Sequence, residues 1–117
     1  MKGNIKLELK TLTPSRLHAL LSLVAMSLEG NAFFPAPPVT PTELTLLAGA
    51  FSKAIADATE GTLTARVRRD AIAANVRDTL RLLADYVRMM AQGDREILTS
   101  SGFSMVKEPS ASAAMEA

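Results

Sequence analysis

The segment "TARVRRDAIAANVRDTLRLLADYVRMMA", residues 64–91, restricts the fold more than any other part of the chain. Ile72, Val76, Leu80, Leu83, Val87 and Met90 recur every three or four residues, which puts them on one side of a helix and on no single side of a strand. At 1.5 Å per residue an unbroken helix here is ~40 Å long, and shorter elements must pack along it. Leu82, Tyr86 and Met89 widen the apolar stripe, which predicts that the second half of the helix is buried on more than one side.

Two more helices are marked at their starts. In "LTPSRL", Thr13 can cap and Pro14 suits the first helical position, and Leu17, Leu20, Leu21, Val24 and Leu28 follow at helical spacing until Gly30 and Asn31. In "VTPTEL", Thr40, Pro41 and Glu43 spell a capping box. Leu44, Leu47, Ala48, Phe51, Ile55 and Ala58 then line one face as far as Glu60 and Gly61. Between these helices "AFFPAPPVTP" holds four prolines in ten residues, which excludes regular helix and predicts a stiff extended arm anchored by Phe33 and Phe34.

The ends read differently. "NIKLELK" sets Ile5, Leu7 and Leu9 against Lys6, Glu8 and Lys10 with period two, the pattern of a half-buried strand. Phe103 and Met105 alternate with Ser104 and predict a second short strand that stops at Pro109. Unpaired strand edges expose rows of backbone donors and acceptors, so the two are expected to pair with each other or with a neighbouring subunit. Gly93 and Asp94 read as the end of the long helix, with Ile97 and Leu98 folding back and "TSSG" as a turn. The expected fold is mainly α: a compact bundle of three to four helices with short N- and C-terminal strands, one domain over 1–109 and a flexible tail over 110–117. A length of 117 residues with 48% hydrophobic and 21% charged residues suits one such core.

Chemistry is sparse in the sequence. Without cysteine there is no disulfide, thiolate nucleophile or Cys-ligated metal site. His18, the one histidine, has no HxxE, ExxH or HExxH partner, and the glycines spell no phosphate-binding loop. No cofactor and no metal are expected, and no enzymatic activity. Asp70, Asp78 and Asp85 alternate with Arg77, Arg81 and Arg88 at spacings that predict a solvated, self-paired face. Thirteen Lys and Arg against twelve Asp and Glu leave a net charge of +1, so no global field draws in nucleic acid or anionic lipid. The densest basic cluster is Arg66, Arg68 and Arg69, but Asp70 follows at once and no aromatic residue interleaves, so nucleic acid is not the expected partner. The N-terminus does not read as a signal peptide and the longest apolar stretch is too short to span a bilayer, so a cytoplasmic setting is expected, with export by a signal-less route left open.

The combination of "GNAFFPAPP" before a Thr-Pro helix start with "LADYVRMMAQGDREILTSSGFSMVKEP" resembles a small helical domain of uncharacterised bacterial proteins that often precedes a fibronectin type III domain. The likeness spans about Ile5 to Pro109 and is most specific in "ADYV", "GD", "SSGF" and "KEP"; the chain ends where that module would begin. The resemblance implies an all-helical body with extended ends and brings no catalytic residues. Function is therefore expected to be structural: self-association into homo-oligomers or filaments through Ile5, Leu7, Leu9, Phe33, Phe34, Phe103 and Met105. The alternative is an adaptor that holds another protein or a nucleic acid through Arg66, Arg68 and Arg69.

Overall fold

The computed structural model describes residues 4–5, 7–59 and 61–104. Four helices follow one another: α1 (Pro14–Leu28), α2 (Pro41–Thr59), α3 (Leu63–Ala91) and α4 (Arg95–Ser100). Their starts obey local chemistry. The Thr13 hydroxyl accepts from the Arg16 amide at 3.3 Å, ahead of Pro14. Thr40 donates its amide (3.0 Å) and hydroxyl (3.1 Å) to the Glu43 carboxylate and accepts from the Glu43 amide at 3.2 Å, a closed capping box. Thr62 caps α3 through the Ala65 amide. The long helix ends one residue before its expected glycine: Gln92 takes the left-handed conformation at φ 50° and Gly93 continues it at φ 87°. The Asp94 carboxylate then accepts from the amides of Glu96 and Ile97, and this cap turns the expected fold-back into a real helix, α4.

The core is one cluster. Leu17, Leu21, Val24 and Leu28 of α1, Leu44 and Phe51 of α2, and Val76, Leu80, Leu83 and Val87 of α3 are buried together with Leu98 of α4. Ala73, Ala84 and Ala91 complete the buried α3 face. On α2 the buried part of this cluster stops at Phe51, and on α3 it begins at Ala73. Beyond those points α2 and α3 continue as a hairpin in which Ala54 and Ala58 are buried but lie outside the main core.

Three expectations need correction. Among the described residues there is no β-strand: Ile5 makes a single β-bridge, and Leu9–Thr11 is one turn of 3-10 helix. The alternation in "NIKLELK" does set burial, since Ile5 and Leu9 are buried and Glu8 and Lys10 exposed, but the backbone turns toward Pro14. Thr11 donates both amide and hydroxyl to the Glu8 carbonyl, and the Leu9 carbonyl accepts from Leu12 N–H and the Arg77 guanidinium. These local bonds satisfy groups that a strand would have paired with a neighbour. At the other end Phe103 is buried outside any strand, its amide held by the Ser101 hydroxyl, while Met105 and the tail over 110–117 lie outside the described residues. The third correction concerns α3: Leu82 and Met89 are exposed, as is Met90, so the second half of the helix is not buried on several sides. Leu82 and Met89 point away from Leu80 and Val87, and the N-terminal segment that crosses this region runs along a different flank, tied through Arg77 to Leu9 and through Arg88 to Asn4.

Candidate functional site

The residues expected to mediate assembly divide by burial. Ile5, Leu9, Phe34 and Phe103 belong to the protomer's own core, and Leu7 is partly buried against it. Phe33 is exposed; Phe34 packs on Tyr86 with ring centroids 6.0 Å apart, and the Tyr86 hydroxyl accepts from the Ala36 amide at 3.2 Å. The Pro-rich arm is thus pinned to α3 by one of its two phenylalanines. Asn31, read in the sequence only as a helix stop, ties three elements. Its side-chain amide donates to the carbonyls of Ser27 and Ser100 and to the Ser100 hydroxyl, while its carbonyl oxygen accepts from the Phe33 amide.

The basic cluster also separates in space. Arg66 reaches back to the Gly61 carbonyl at 3.0 Å and Arg69 pairs with Asp70 at 3.0 Å. Arg68 points from another side of α3 and has no ion pair among the described residues. The charged face expected to be self-paired is so in part: Arg77 donates to the Leu9 carbonyl and Asp70 pairs with Arg69, whereas Arg81 meets Asp78 at 2.9 Å and Arg88 meets Asp85 at 3.3 Å. Both pairs are solvent-facing, the kind that adds less than about 1 kcal/mol each.

The loop that most resembles a catalytic one is filled by structural bonds. The Ser100 hydroxyl donates to the Ile97 carbonyl at 2.7 Å and the buried Ser101 hydroxyl to the Leu98 carbonyl at 2.6 Å. His18 lies partly buried beside Phe51, ring centroids 6.2 Å apart. No hydrogen bond links it to either serine among the described residues, and no group of three metal-ligating side chains occurs among them. Two shallow grooves of about 370 Å³ each adjoin where the N-terminal segment crosses α3. They share Lys10 and Arg81; one is floored by Leu7 and Leu9, the other by Ala74, Arg77 and Asp78.

A surface missed from the sequence borders those grooves. Leu63, Val67 and Ala71, then Ala74, Asp78 and Leu82, then Asp85 and Met89 succeed one another along α3 at spacings of four, four and three, and all eight are exposed. An 11-residue repeat of this kind averages about 3.67 residues per turn, so the stripe drifts by only about 20° per repeat and stays on one side of the element. Leu63, Val67, Leu82 and Met89 are between 50% and 72% exposed. Single exposed leucines are ordinary on protein surfaces, whereas aligned ones mark a seam. The signal is present in the sequence as spacing, masked by the bulkier buried stripe on the same helix. Elsewhere Met26 and Leu23 face solvent on α1 and Leu46 does so on α2.

No protein-family model, curated protein or solved structure matches the chain. No described helix is long and apolar enough to cross a membrane.

Proposed function

We propose that the protein is a non-enzymatic structural or interaction protein that associates with copies of itself through the outer faces of its helices. The observation that carries this reading is the exposed stripe on α3, where six of eight aligned positions are apolar. Leaving such a row in water gives up the favourable free energy of its burial, about 25 cal/mol per Å² of apolar surface, which a partner recovers. The terminal residues take a different part from a strand exchange: Ile5, Leu9 and Phe103 fill the protomer's own core and stiffen the scaffold that presents the helices. The exposed Leu23 and Met26 on α1 give a second surface, by which a pair could grow into a ring or filament, since contacts that do not close propagate. The resemblance to a domain that often precedes a fibronectin type III module leans the same way, toward assembly.

Size-exclusion chromatography with light scattering, run from about 1 to several hundred micromolar, tests the reading, because a standard interface buries ~1,600 Å² and a smaller one needs high concentration to populate. A mass that rises with concentration supports it. A single monomeric mass at every concentration overturns it.

A further inference from the structure

We infer that α3 pairs with α3 of a second copy, antiparallel and in one register, to form a two-fold symmetric dimer; this deepens the self-association reading and rests on it. The argument begins with the two carboxylates on the stripe. A parallel, in-register pair would set Asp78 against its own copy and Asp85 against its own copy, a juxtaposition of like charges at the centre of the contact. Reversing one helix so that Leu63 meets Met89 carries Asp85 ~27 Å along the axis from its own copy and staggers the two Asp78 side chains by ~6 Å.

The antiparallel register follows from charge and shape together. When the apolar ends meet, Leu63 faces Met89 of the other copy, and every other contact on the stripe falls within about one residue, ~1.5 Å, of that alignment. Ala71 meets Leu82, a small residue opposite a large one, while Val67 lies opposite Asp85 and Ala74 opposite Asp78. Asp70 and Arg81 share one flank of the stripe and come opposite each other. A two-fold axis perpendicular to both helices keeps each flank beside its own counterpart, so this contact appears twice. The Asp70 and Arg81 side chains are 68% and 45% exposed, open to a second partner beside Arg69 and Asp78.

The size of the contact sets its strength. A 29-residue helix presents a strip ~43 Å long and ~10 Å wide. Two such strips bury on the order of 1,000 Å² in total, the lower edge of specific interfaces. The dimer is therefore weak, concentration-dependent and sensitive to salt through its flanking charges.

A charge swap tests the register on the full chain. By sedimentation velocity, Asp70→Arg and Arg81→Asp should each weaken dimerisation about tenfold or more, and the double variant should restore it, with circular dichroism of each variant confirming that the exposed changes leave the fold intact. The absence of native cysteine allows an independent check: Ala71→Cys protein mixed with Leu82→Cys protein should form a disulfide-linked dimer, whereas Ala71→Cys alone should not. Dimers that ignore both single reversals, or Ala71→Cys crosslinking to itself as readily as to Leu82→Cys, overturn the pairing while leaving self-association standing. A wild-type chain that stays monomeric at every concentration overturns both.

Discussion

At Gly102 the chain's conformation and its packing make the same demand. Its φ of +89° is one that side-chain-bearing residues rarely adopt, and a Cβ built there would lie 2.8 Å from the Ser27 hydroxyl oxygen and 3.1 Å from the Leu23 carbonyl oxygen. The hydroxyl can rotate; the carbonyl is α1 backbone and cannot. Gly102→Ala is expected to destabilise the fold by about 1–3 kcal/mol, read from the midpoint of urea unfolding. Gly49 supplies the control, because it lies inside α2 with nothing within 4 Å of a new Cβ. There the same substitution should stabilise by about 0.5–1 kcal/mol, as alanine loses less chain entropy than glycine in a helix. Equal effects at the two positions would show that the corner between α1 and α4 is not closed as described. The sequence marked Gly102 as a turn residue, yet the atom opposite it belongs to a residue 75 positions earlier, Ser27, and no local pattern carries that.

Elements were legible where their chemistry is local. Thr13-Pro14 and Thr40-Pro41 start helices because cap and ring geometry act within one turn, and the structure keeps both starts. The terminal strands misled because period-two burial is shared by strands and by irregular segments that lie along a helix; Leu9 is inward in either case. The apolar excess on α3 misled because the pattern says that Leu82 and Met89 share a face, without saying whether anything covers it. The α2 capping box makes a prediction at this scale. Hydrogen bonds from the Thr40 amide and hydroxyl hold the Glu43 carboxyl below its ordinary value of 4.5. A carboxyl lowered in the folded state stabilises above its unfolded value, and that contribution fades as pH falls through the folded one. Glu43→Gln should therefore lower Tm at neutral pH, and the gap from wild type should close as pH drops below 4.5. A gap that persists unchanged at lower pH would assign the effect to something other than the ionised carboxylate.

Across the molecule, stability and assembly meet at the free end of the α2–α3 hairpin. From Leu63 to Ile72 the long helix has no fully buried residue, and Ala54 and Ala58 of α2 are its near neighbours by topology, outside the main core. Regions with few buried apolar contacts open locally at a free energy well below that of global unfolding. Amides from about Val67 to Ile72, beyond the helix's own first turn, are expected to exchange hydrogen tenfold or more faster than those from Ala73 to Val87 in dilute solution. Antiparallel pairing lays this same end on the C-terminal half of the second α3, beside Leu82 and Met89 of that copy. Its protection should then rise with protein concentration and fall with added salt, whereas the core half changes little. Uniform exchange along α3 in dilute solution would mean that the hairpin end is held by the protomer itself. Concentration-dependent protection confined to α1 would place the contact on the Leu23 and Met26 face instead.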